Sequence, residues 1–170
     1  MQIRYCLLGA TLIATPAYAG EMTVSIEIPQ LRVAEYHRPY VAVWLQDAKG
    51  QRVADLAVWY DTKLKNQEGE KWLSDLRTWW RKSGRSLDLP VDGLSSPTRG
   101  PGKHVIRARE GSVTLPRLAS GSYTLMVEAA REVGGREILS IPFSWPPKAP
   151  RTGTAGGTSE LGAISLSIKP

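Results

Sequence analysis

Residues 118–129 read LASGSYTLMVEA, and this stretch decides the fold. Tyr123, Leu125 and Val127 alternate with Thr124, Met126 and Glu128, the period of two that puts one set of side chains on each face of a strand. Gly121 supplies a turn just before the strand, with Tyr123 two residues on. Downstream, Gly134-Gly135 is a hairpin turn and Glu137 to Phe143 the returning strand. Upstream, Met22, Val24, Ile26 and Ile28 alternate with polar neighbours until Pro29 ends the run. Tyr40 to Leu45 is apolar on both faces. The turn Asp47-Ala48-Lys49-Gly50 then sends the chain back along Arg52 to Tyr60. His104 to Arg109 and Val113 to Leu115 add short extended pieces, and Ile164, Leu166 and Ile168 close the chain at period two.

One segment breaks this rhythm. Between Glu70 and Lys82, Trp72, Leu76, Trp79 and Trp80 fall at spacings of four, three and one, which predicts a short amphipathic helix stopped near Ser83-Gly84. Trp79 and Trp80 cannot both sit at the centre of one stripe, so one of them belongs at a rim. Many short strands and one helix predict a mainly β protein. A glycine turn followed by tyrosine at a strand start resembles the tyrosine corner of immunoglobulin- and fibronectin-like sandwiches. The expected architecture is therefore such a β-sandwich, with the helix inserted between strands. Residues 146–159, rich in proline and glycine, are expected to form a flexible loop.

The first residues have a different purpose. Arg4, the apolar stretch Cys6 to Ala14 and Ala17-Tyr18-Ala19 before Gly20 have the three parts of a secretory signal peptide. The expectation is a cleaved leader over 1–19, a single domain over 20–170, and release into a bacterial periplasm. The only cysteine, Cys6, lies within the leader; the exported chain has no disulfide, cysteine nucleophile or thiolate ligand. The apolar stretch is too short to span a bilayer, so no membrane insertion is expected.

Lys and Arg number 22 against 16 Asp and Glu, a net charge of +6. The basic residues are scattered rather than gathered on one helix, and with export this argues against a nucleic-acid partner. His37 and His104 are the only histidines and have no HExxH spacing, so no metal site is expected. No G-x-S-x-G elbow occurs, and Pro90 between Asp88 and Asp92 argues against a stacked carboxylate pair. With no complete catalytic constellation, the expected protein is not an enzyme.

Two features offer a working surface. The segment Val91 to Lys103 is dense in glycine and proline, and across 92–104 it carries Asp92, Ser95, Thr98, Arg99, Lys103 and His104. Hydroxyls, cations and free N–H groups suit a phosphate or an anionic cofactor; the same composition suits a rigid turn. The tryptophans Trp72, Trp79 and Trp80 offer flat faces to a planar ligand or a partner, or else pack into a core.

Taken together, RPYVAVWLQD at 38–47, KWLSDLRTWW at 71–80, DGLSSPTRGPGKH at 92–104 and SGSYTLMVEAAREVGG at 120–135 resemble the exported bacterial family DUF2271. Members of that family tend to occur beside PepSY-type membrane proteins and ApbE-type flavin transferases. The resemblance thus implies a periplasmic, non-catalytic accessory of a redox- or iron-linked membrane system, with those two protein types as its partners. It also implies a sharper alternative. Flavin transferases attach FMN through its phosphate to threonine in motifs that look like D-x-x-S/T-G-A-T. Asp92, Ser95 and Thr98 match in type and spacing, which would make Thr98 the acceptor of a covalent FMN, with electron transfer as its use. Ser96 and Pro97 stand where that pattern has glycine and alanine.

Overall fold

A computed structural model describes residues 20–170. The leader expected over 1–19, Cys6 included, lies outside the described residues. Nine strands build two sheets: β1 (Glu21–Ile28), β2 (Tyr40–Asp47), β3 (Arg52–Tyr60), β4 (Ser95–Pro97), β5 (Gly102–Arg109), β6 (Gly121–Ala130), β7 (Arg136–Trp145), β8 (Arg151–Gly156) and β9 (Ala163–Lys169). One sheet runs β5-β1-β9-β8 and the other β4-β3-β2-β6-β7. All pairs are antiparallel except β3 with β4. The protein is mainly β, with two sheets and a short helical insertion.

The alternation seen in the sequence sets the core. Met22, Val24, Ile26 and Ile28 from β1, and Ile164, Leu166 and Ile168 from β9, face Val41, Val43, Leu45, Leu125, Val127 and Ala129 of the other sheet. Each is almost fully buried, and burial of such a side chain contributes about 1.5–3 kcal/mol. β2 is apolar on its second face for a separate reason. Ala42 and Trp44 point away from this core and join Val58, Tyr60, Leu73, Leu76 and Trp79 in a second apolar cluster beneath the insertion. Register shifts between β2 and β3 leave Leu56 and Ala57 both in the first core and Asp55 on the insertion's side.

Parallel strands cannot be joined by a tight turn. The crossover from β3 to β4 therefore supplies the insertion, which lies on the outer face of the five-stranded sheet. It differs from the expected single helix. Lys65–Asp75 forms 3-10 turns, α1 spans only Arg77–Lys82, and Gly84–Ser86 is a further 3-10 turn. The break falls at Leu76, whose backbone (φ −75°, ψ 66°) is not helical, so that Leu73 before it, Leu76 at it and Trp79 after it all turn inward with 0% exposure. Gly69 also sits so close to Asp61 that a Cβ there would lie 2.0 Å from its carbonyl oxygen.

Carboxylates anchor the layer. Glu128, fully buried on β6, accepts hydrogen bonds from the Thr78 and Trp79 amides at the start of α1 (3.0 and 2.8 Å) and from Arg136 Nε (2.6 Å). Asp55 accepts from the Trp79 indole (3.0 Å), Ser83 Oγ and Arg52. A buried carboxylate of this kind is tolerable because cations and N–H donors replace its hydration.

Three further expectations meet the structure here. Tyr123 Oη donates to the Ala119 carbonyl at 2.7 Å, the bond that defines a tyrosine corner. Residues 146–159 are not a loop throughout, because Arg151–Gly156 pairs with β9 as an edge strand. Glycine and proline masked a strand there, since Gly153 packs directly against Ile141. Val113 to Leu115 is a turn, closed by the Gly111 amide on the Leu115 carbonyl, with Val113 exposed and Leu115 buried.

Candidate functional site

Segment 91–103 is less of a loop than its composition suggests. Leu94 is buried in the second cluster, and Ser95–Pro97 pairs in parallel with Val58–Tyr60. Since β4 belongs to one sheet and β5 to the other, Thr98-Arg99-Gly100-Pro101 is the corner where the chain passes between them. The Thr98 amide donates to the Tyr60 carbonyl at 3.2 Å.

The six residues singled out in this segment do not converge. Asp92 is exposed in a turn. Ser95 Oγ accepts from the Val91 amide at 3.0 Å. Arg99 lies over the Trp59 ring, 5.6 Å from its centroid, a cation–π contact. His104 stands edge-on to the same indole, and its Nε2 is 2.7 Å from the Gly100 carbonyl. Lys103 lies opposite Glu27, on the face of the four-stranded sheet turned away from the core. Of the six, Thr98 alone lines the cleft formed beside the insertion.

That cleft has a volume of about 400 Å³, within the range of small-molecule sites. Five parts of the chain build it. The corner gives Pro97 and Thr98, and the link between β1 and β2 gives Tyr36, His37 and Arg38 ahead of Tyr40. The chain leaving β3 gives Asp61, Lys63 and Leu64. Trp72 and Asp75 come from the insertion, and Ala130 and Glu132 from the end of β6. Trp72 is 48% exposed, unusual for the largest apolar side chain. The three tryptophans thus part company. Trp72 faces the cleft, Trp80 is half-buried, and Trp79 is wholly interior, which withdraws it from any partner surface. Its indole N–H needs Asp55, and its ring packs on Gly84, where no side chain could fit.

The cleft's polar groups are arranged for holding. His37 lies between Glu35 (2.9 Å) and Glu132 (3.5 Å). Among the described residues Arg38 and Lys63 make no ion pair, and they share the lining with three carboxylates, Asp61, Asp75 and Glu132. Burial raises the pKa of Tyr36, with Arg131 and Arg38 opposing it in part. Burial likewise raises Tyr40, against a hydrogen bond to the Asp61 backbone. Both phenols are therefore neutral at physiological pH and able to donate. Among the described residues the Tyr36 hydroxyl is buried without a hydrogen-bond partner, a cost of about 1–3 kcal/mol.

Sequence reasoning placed Thr98 and Trp72 in the working surface but missed Tyr36, Tyr40 and Lys63. The run Glu35-Tyr36-His37-Arg38 before Pro39 carried a usable signal: a dense mixture of aromatic and charged side chains in a connection, where function concentrates.

The family model described as Predicted periplasmic protein (DUF2271) matches residues 21–163, a span that includes every residue of the cleft. No curated protein and no solved structure matches the chain.

Proposed function

Since the chain belongs to the DUF2271 family of predicted periplasmic proteins, we propose that it is a non-catalytic binding module of the periplasm that works through the cleft between Thr98 and Trp72. One observation carries this. The glycine-rich segment and the tryptophan-rich segment, 26 positions apart at Thr98 and Trp72, are brought to one cleft by the β3–β4 crossover. The half-exposed indole and two half-buried phenols supply flat surfaces, while Arg38 and Lys63, unpaired among the described residues, supply positive charge. In this reading the partner is a PepSY-type membrane protein of a redox- or iron-linked system. The finer description of the fold, an immunoglobulin- or fibronectin-like sandwich, belongs to the same proposal and draws on the Tyr123–Ala119 bond.

The test is co-purification with such a partner after joint expression. Trp72→Ala and Arg38→Glu should each weaken the complex at least tenfold, whereas Lys103→Glu, on the far face, should leave it unchanged. Full retention of the complex in both cleft variants would remove the cleft from the interaction.

A second reading is favoured by Thr98 lining an aromatic cleft: a covalent FMN carrier with the flavin phosphate esterified to Thr98 Oγ. The residues present fit such a group. Arg38 and Lys63 could balance the phosphate, Trp72 could stack against the ring system, and the Tyr36 hydroxyl lacks a partner among the described residues. Bound there, the flavin would supply one- and two-electron chemistry while the protein tethered and oriented it. Intact-mass measurement after co-expression with an exported flavin transferase decides this. An FMN-sized adduct lost in Thr98→Ala supports it, and its absence from the unaltered protein eliminates it.

A further inference from the structure

On the side of the molecule where β7 and β8 form the free edges of the two sheets, a second cleft opens between them, with a volume of about 490 Å³. Its inner wall is apolar. Ile141, Leu166 and Ile168, each no more than 2% exposed, form its closed floor, and the part-exposed Phe143 with the exposed Pro142 and Pro146 form the apolar wall open to the cleft. The inward-facing positions of β8 explain the room: they read Arg151, Gly153, Ala155, opposite Ile168, Leu166 and Ile164. Gly153 can be nothing larger, because a Cβ there would stand 2.5 Å from Ile141 Cγ2. The β8 backbone therefore packs on Ile141 and closes the floor of the cleft at this point, while the small side chains of β8 leave the outer wall to Phe143 and the prolines.

The charge around this cleft has one sign. Its ionisable lining residues are Lys148 and Arg151, with no carboxylate among them. Both are exposed, and among the described residues neither makes an ion pair. Ser144 and Thr152 add hydroxyls to the lining. An apolar wall with two unneutralised cations is complementary to a molecule that is greasy along its length and anionic at one end. An uncharged hydrocarbon would leave the cations unused, and a cationic amphiphile would be repelled.

We propose that this cleft binds a single-chain amphiphile, its hydrocarbon tail against Pro142, Phe143 and Pro146 and its carboxylate or phosphate head on Lys148 and Arg151. The inference is independent of the Thr98 cleft, with which it shares no residue.

Isothermal titration calorimetry with dodecanoate below its aggregation threshold tests it. A saturable one-to-one site is expected, tightening roughly fourfold for each methylene added from octanoate upward until the cleft is filled. Dodecyl phosphate against dodecanoate separates a phosphate source from a fatty-acid source. The double variant Lys148→Glu/Arg151→Glu changes two exposed side chains. It should keep the parent's thermal transition while losing at least tenfold in dodecanoate affinity, and dodecyltrimethylammonium should bind it better than the parent. Absence of saturable binding, equal affinity in parent and double variant, or equal binding of the cationic amphiphile by the parent would each overturn the proposal.

Discussion

Substitution of Glu128 by alanine tests how the insertion is held. The carboxylate has 0% exposure and serves the amides of Thr78 and Trp79 as well as the Arg136 guanidinium. Hydrogen bonds to a charged group contribute about 1.5–3 kcal/mol each. Their sum overstates the loss, because the three bonds share one carboxylate and water can reach Thr78 and the 31%-exposed Arg136 side chain once it is gone. The Trp79 amide is buried and has no such recourse. Breaking a buried ion pair by removing one member costs about 3–5 kcal/mol, and Glu128→Ala should fall in that range. At a urea dependence of about 2 kcal/mol/M, the unfolding midpoint should drop by roughly 1.5–2.5 M. Glu128→Gln, which keeps an oxygen for Trp79, should lose less. Urea unfolding followed by tryptophan fluorescence and circular dichroism measures both. A loss under about 1 kcal/mol for Glu128→Ala would show that this carboxylate does not anchor α1.

The pair Arg131–Glu160, 6% and 3% exposed at the side chains, is joined by two bonds of 2.9 and 3.1 Å. Glu160→Gln should therefore cost about 3–5 kcal/mol in thermal or chemical unfolding, and replacing both residues with methionine should recover most of it. Tyr123→Phe removes only the bond to Ala119 and should cost about 0.5–1.5 kcal/mol in the same assay. At Glu137, burial raises the carboxyl pKa, but hydrogen bonds from the Thr158, Leu161 and Ser159 amides together outweigh it, and the net shift is downward. A folded-state pKa below the unfolded value gives stability that is complete above the unfolded value, 4.5, and lost as pH falls through the lower folded value. Glu137→Gln should thus flatten the acid limb of a stability–pH profile below that point, and an unchanged limb would refute this role.

Sequence alone determined the strands that alternate. β1 and β9 announce themselves at period two because one face meets the core and the other meets solvent; β6 shows the same period, although its second face carries Met126 and Glu128 beneath the insertion, and the Tyr123 corner follows from a glycine and a tyrosine at local spacing. β8 lacked this signal. An edge strand that must let Ile141 approach its backbone uses Gly153, and glycine there looks like a loop. In the insertion Trp72, Leu76 and Trp80 gave an apparent period near four, which hid the break in the helix at Leu76. Which tryptophan is buried depends on the Asp55 and Glu128 carboxylates that receive Trp79, and these lie 24 and 49 positions away in the chain. The cleft was legible only in fragments. Thr98 and Trp72 stood out by composition, but their meeting with Tyr36, Arg38 and Lys63 follows from a parallel pairing of β3 with β4 and the crossover it requires. Local spacing fixes which face a side chain takes, whereas long-range pairing fixes what that face meets.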